Sequence, residues 1–298
     1  MNSRSLYSFI FISCTFISSA LAQANLLNAR VPQNVGQLNE KQNAANDETP
    51  LAYGFIDDRD VLWSKTVWEI IDLNERINFP FYYPTDTISL GSDRRSLFDV
   101  LKKNIGKGTI KEIYSDDYFQ EKITYQDILD KLVTIDTTDL GKDQLNAGEA
   151  VDAQFIEEKR LTAGDIRQYK IKGTWYVNKR QGELKYRLLG IAPCSPDVNF
   201  KDDQNVKDLV ELFWVWFPDA RQALNSSYVF NVRNSSQPIT FDHMLNSRRF
   251  NSIIYKEENV YQDRTIEEYI YEDALKQLLE SERIKSVIRD FEQDLWNN

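Results

Sequence analysis

Apolar residues recur at intervals of three and four along the first patterned segment. Val61, Trp63, Val67, Trp68, Ile70 and Ile71 follow the carboxylates Asp57, Asp58 and Asp60. Helical spacing behind acidic residues, which suit the positive end of a helix, predicts a helix ending before Phe79-Pro80. FPFYYP is then expected to be extended, since proline pushes the residue before it out of the helical region. Leu97, Leu101 and Ile105, with Phe98 beside them, predict a second helix stopped by Gly106 and Gly108. Ile110 to Tyr114 reads as a short strand. Thr124 and Asp127 cap a helix bearing Tyr125, Ile128, Leu129 and Leu132. Residues 136–164 are polar and weakly patterned, which predicts a loop with one short helix.

Residues 168–192 alternate in a way that predicts a β-hairpin. With Gln181-Gly182 as a two-residue turn, Val177 faces Tyr186, Trp175 faces Leu188 and Ile171 faces Ala192, and the apolar sides match. A bulged turn with Gly182 in the left-handed region is the alternative. LVELFWVWF reads as a further strand, 242–246 as a short helix and 252–255 as a short strand. Thr265 and Glu268 form a capping box that opens a long C-terminal helix, with a bend expected where its apolar stripe breaks at Ser281-Glu282. The fold class is therefore α+β, with antiparallel strands, several helices and a long C-terminal helix. FYYPTD followed by LFDVLKKNIGKGTIKEIY is echoed by FWVWFPDA followed by TFDHMLNSRRFNSIIY. Two related halves, about 51–135 and 165–298, would produce such an echo.

FWVWF, residues 213–217, has no polar side. Phe213, Val215 and Phe217 point one way in a strand, and Trp214 and Trp216 the other. One reading is a central strand covered on both faces. The other places Trp214 and Trp216, with nearby Arg221, at a contact with a partner, since tryptophan and arginine are enriched at binding hot spots. Pro218 ends the strand, and Asp219 is placed to cap the turn or short helix after it.

Residues 1–22 change the picture of where the protein works. Arg4, an apolar run from Leu6 to about Ile17 and Ala20-Leu21-Ala22 form the pattern of a secretory signal peptide. The run is too short to span a membrane, which needs about 20 residues. Residues 23–50 are rich in Asn, Gln and Ala without apolar period, as in a flexible arm. Loss of the leader leaves Cys194 as the one cysteine, so no internal disulfide is expected. The net charge of −10 and the lack of basic runs argue against nucleic acid and anionic lipid as partners.

Candidate chemistry is sparse. His243 is the single histidine and would have to serve any Ser-His-Asp or Cys-His arrangement; no Gly-x-Ser-x-Gly elbow accompanies it. One His and one Cys do not make a usual zinc site, and DDRD lacks the rest of a calcium loop. No cofactor, metal or catalytic set is assigned. A carbohydrate-binding or carbohydrate-active exported protein is the alternative, because aromatic residues stack on sugars and paired carboxylates are not visible as a spacing.

GFIDDRDVLWSKTVWEIIDLNERINFPFYYP, SLFDVLKKNI, FWVWFPDARQAL and TFDHMLNSRRFNSIIYKEENVYQDRTI together resemble the gliding motility protein GldN family, also called PorN. The resemblance runs from about Leu51 to the C-terminus and is weakest over 136–164. It implies a non-enzymatic periplasmic subunit of the type IX protein secretion and gliding machinery. It further implies a large ring beneath the outer membrane with a GldK/PorK-like lipoprotein, and a link to a GldM/PorM-like motor component. No catalytic residue is carried over from it.

Overall fold

The computed structural model describes residues 49–86, 94–138, 141, 144, 146–148, 153–201, 208–230, 239–271 and 273–296. The leader expected at 1–22 and nearly all of the arm at 23–50 lie outside the described residues. Contacts divide the chain between Thr49 and Pro50, and the unit from Pro50 onward carries every element described below.

The first patterned segment is a strand, not the helix its spacing predicts. β1 spans Val61–Asp72. Trp63, Val67 and Ile71 are four apart, a spacing that a helix and a strand both place on one face. The β-branched and aromatic content decides for the strand, because both neighbours of β1 offer ladders along it. The acidic start survives only as a single 3-10 turn, Asp58–Asp60, capped by Asp57. FPFYYP is extended only at its end. Phe79–Tyr82 forms one helical turn, α1, with Pro80 in its first turn where no N–H is needed, and Tyr83 before Pro84 is extended.

α2 (Leu97–Gly106) and α3 (Tyr125–Leu132) form as expected, with Ser96 and Thr124 as N-caps and a full capping box at Thr124–Asp127, while the strand expected over 110–114 is confined to β2 (Ile113–Tyr114). The polar region that predicts a loop holds an antiparallel pair, β3 (Val133–Thr137) with β4 (Ile156–Arg160). Helical positions at 141, 144 and 146 lie between them.

The hairpin forms with β5 (Gln168–Asn178) and β6 (Glu183–Ser195). Its register differs from the two-residue-turn reading. Val177 pairs with Leu184 and Trp175 with Tyr186, a shift of two residues that keeps every side chain on its face. Residues 179–182 make the turn, and Gly182 adopts φ +64, the left-handed conformation of the bulged alternative. A bulge opposite Lys172/Gly173 then moves the register by one, so Ile171 pairs with Ile191 rather than Ala192.

LVELFWVWF is two short strands, β7 (Val210–Glu211) and β8 (Trp214–Trp216), both on β6. The register slips by one between them, across Leu212 and Phe213. That irregularity lets Leu212, Phe213, Trp214 and Val215 all be buried. α4 (Phe217–Asn225) starts at once, with Pro218 in its first turn. Asp219 does not cap that helix; its carboxylate accepts the backbone N–H of Lys111 (2.6 Å) and Glu112 (3.0 Å) and pins β2. The short pair β9 (Tyr228–Val229) and β10 (Ile239–Thr240), α5 (Phe241–Asn246) and β11 (Ile253–Glu257) come next. Thr265 caps a separate one-turn helix, α6 (Ile266–Tyr269), and the long helix α7 (Ala274–Trp296) begins after it. α7 runs unbroken through Ser281-Glu282. Ser281 interrupts the stripe because its buried hydroxyl accepts the N–H of Ile254, 2.9 Å away, and docks the helix on β11.

The main sheet has the order β11-β1-β5-β6-β8-β2, and every pairing in it is antiparallel. Exchanging β5 with β6, β1 with β8 and β11 with β2 maps this order onto itself. The echoed Phe-Asp helices are α2 and α5, and the echoed Ile-Tyr strands are β2 and β11, at the two outer positions. The aromatic opening of the echo does not match, since Phe81 lies in a helical turn and Trp214 in a strand. One face of the sheet packs on α1–α5 through Ile71, Tyr169, Ile171, Ile191, Phe213 and Val215. Val67 and Ile254 meet Ile284 and Ile288 of α7. Trp68, Ala192 and Trp214 are buried on the opposite face.

Candidate functional site

Trp214 and Trp216 alternate out of β8 onto that opposite face. The cover over them is the connection after β2, Ser115 to Lys122, whose charged residues give no sign of burial in the sequence. Asp116 organises it by accepting the N–H groups of Tyr118, Gln120 and Glu121. Phe119 sits at φ +59 and its ring meets Tyr114, Trp214 and Trp216 edge-on, at 5.4, 6.2 and 4.8 Å between centroids. Gly190 in β6 makes the room: a Cβ there would enter the Phe119 ring. Gly190→Ala should therefore lift the loop and lower stability by about 1–3 kcal/mol. An unchanged melting temperature would mean that the ring is not seated there.

Two lysines complete the layer. Lys172 donates to the carbonyl of Asp117 and lies 4.6 Å from the Trp68 ring centroid and 4.7 Å from that of Tyr118. Lys256 pairs with the Asp117 carboxylate at 2.7 Å and lies over the same two rings. Burial lowers the Lys172 pKa. Burial works against Lys256 too, yet its bond to Asp117 holds its pKa above the usual value. Trp214 is fully buried, and its Nε1–H donates to Glu211, 2.6 Å away, which also pairs with Lys170 at 2.7 Å. Trp216 is half-buried.

Arg221 is elsewhere. It lies in α4, is 8% exposed, and forms a two-point ion pair with Asp242 of α5 at 2.8 and 3.1 Å. Tyr53 lies on it, with the guanidinium carbons of Arg221 and Arg187 at 4.2 and 4.8 Å from the ring and its hydroxyl donating to Asn246 at 2.7 Å. Burial pushes the Tyr53 hydroxyl up to about 12. The three residues predicted as one contact are thus not one surface. Trp214 and Arg221 belong to the interior, and Trp216 is the one of the three that is only half-buried. Their packing roles are hidden in the sequence because the covering groups, Phe119 and Tyr53, are distant along the chain.

The two candidate chemical groups differ in exposure. His243 is exposed on α5, and its backbone N–H donates to the capping Thr240. Cys194 is fully buried, and burial pushes its thiol up to about 12. Neutral thiol is a poor nucleophile. A thiol reagent at pH 8 should leave Cys194 unmodified in the native chain and label it on unfolding; rapid native labelling would contradict the burial. Among the described residues no group of three or more His, Cys, Asp or Glu is placed to hold a metal ion. Among them, too, no helix is long and apolar enough to cross a membrane.

None of the curated proteins matches the chain. Residues 56–297 match the family described as gliding motility associated protein GldN. That match covers the whole sheet, its helices and the aromatic layer. The chain belongs to the GldN family and is a component of the gliding motility and type IX secretion machinery.

Proposed function

We propose that the chain is a non-enzymatic periplasmic assembly subunit, held in a ring with a GldK/PorK-like outer-membrane lipoprotein and linked to a GldM/PorM-like motor component. The observation that carries this reading is the family match over residues 56–297. The buried Cys194 and the exposed His243 support a role through surfaces rather than through bond chemistry. The leader pattern at 1–22 supports export. Trp216 supports a partner contact at the rim of the aromatic layer.

Affinity capture from an envelope extract tests it. The lipoprotein and the motor component are expected to co-purify with the tagged chain. Capture of neither, with glycan binding or glycosidase turnover instead, would favour the carbohydrate alternative.

A further inference from the structure

We propose that one water molecule is held inside the fold between Glu69 of β1, Tyr186 of β6 and Arg248, just after α5. Six buried side-chain polar atoms have no hydrogen bond among the described residues, and three of them belong to this trio: Glu69 Oε1, the Tyr186 hydroxyl and Arg248 Nη1. Buried polar groups are satisfied as a rule, so three at one place call for a shared partner.

The strand register brings the trio together. Glu69 pairs with Ile171 of β5, and Val67, two residues before it on the same face, pairs with Gly173. Tyr186 fills the room that this glycine leaves, since a Cβ on Gly173 would collide with the tyrosine hydroxyl. The hydroxyl thus stands over the position diagonal to Glu69, a separation that long side chains span. Arg248 reaches both. Its guanidinium donates to Glu69 Oε2 at 2.6 Å, and its central carbon lies 4.2 Å from the Tyr186 ring centroid. Burial, and after it the Glu69 carboxylate, push the Tyr186 pKa up. The phenol therefore stays protonated and is able to donate or to accept. Tyr186 packs on both the large apolar cluster and the one beneath α7, so the site lies on the seam between them.

The chemistry of the three atoms selects the ligand. Glu69 Oε1 is an acceptor and needs a donor, whereas Arg248 Nη1 is a donor and needs an acceptor. An anion does not serve the carboxylate, and a metal ion does not serve the guanidinium. Water donates to the first, accepts from the second and takes the Tyr186 hydroxyl as its third partner, the usual number for a buried water. Direct bonds join Glu69 only to Arg248 and Ser252, both in the connection from α5 to β11. The water adds β6 to that joint through Tyr186.

A crystal structure of the purified chain, at a resolution that shows ordered water, tests this. A density peak is expected about 2.6–3.2 Å from each of the three atoms. No peak there, or a Tyr186 hydroxyl bonded directly to Glu69 Oε1, would overturn the proposal. Magnetic relaxation dispersion of the water oxygen gives a second test in solution, because it counts the waters held inside for longer than the protein tumbles. The wild type should hold one more such water than the variant Glu69→Leu with Arg248→Met, which lacks two of the partners. Tyr186→Phe keeps the ring and removes one partner, and should shorten the residence of the water about fivefold, the worth of one hydrogen bond. Equal counts in the wild type and the double variant would overturn the site. Should the double variant not fold, Tyr186→Phe decides, and an unchanged residence would overturn it equally.

Discussion

Arg248→Met is expected to destabilise the chain by about 3–5 kcal/mol, because it strands a buried carboxylate. Glu69, in the middle of β1, is 1% exposed. Its Oε2 accepts from Arg248 at 2.6 Å and from the Ser252 hydroxyl, while its Oε1 has no hydrogen-bond partner among the described residues. Arg248 reaches it from the end of α5 at φ +50, lying 4.2 Å from the Tyr186 ring centroid and 5.2 Å from that of Phe250. Removing the cation leaves a carboxylate whose own side chain is 1% exposed without a counter-charge. Glu69→Leu with Arg248→Met removes both charges and should recover most of the loss. Denaturant midpoints measure this. A single variant as stable as the wild type would mean that the pair is solvated in solution.

Trp214→Ala should cost about 3–5 kcal/mol by opening a cavity under Phe119. The substitution also removes the donor to Glu211, which then keeps its ion pair with Lys170. Trp216→Ala, at a half-buried ring, should cost about 1 kcal/mol, the typical value for a point substitution. This separates two residues that look equivalent in FWVWF. A loss of partner capture by Trp216→Ala without loss of fold would locate a contact at that rim. Equal destabilisation by both variants would show instead that Trp216 is as much a core residue as Trp214.

Much of the architecture is legible in the sequence, and the misreadings have physical causes. Caps are local, so Thr124, Thr265 and the helix at 97–106 can be read directly from neighbouring residues. β1 is the hard case. A spacing of four residues satisfies both periods, and Lys65 and Glu69, which interrupt its apolar face, are held by ion pairs to Glu257 and Arg248 that lie far along the chain. The hairpin is readable as a hairpin because a slip of two residues preserves both faces. Its bulge depends on how Gly173 and Tyr186 meet, since a Cβ at Gly173 would collide with the Tyr186 ring. For the candidate site, the aromatic run announces itself, but its partners do not. Phe119 stands among charged residues, at a positive φ that nothing local requires, and Tyr53 precedes every regular element. The sharpest sign in the sequence is glycine: Gly190 sits between Leu189 and Ile191 in β6, and a ring fills its place.

The central proposal is that this component of the secretion machinery serves as an assembly subunit and not as a catalyst. Deletion of its gene in the producing cell, with the culture fluid examined for exported proteins, tests this most directly. Secretion should stop, and a chain carrying His243→Ala and Cys194→Ala should restore it as fully as the wild type. Undiminished secretion without the gene, or restoration that fails when a stable chain lacks only His243 and Cys194, would contradict the account.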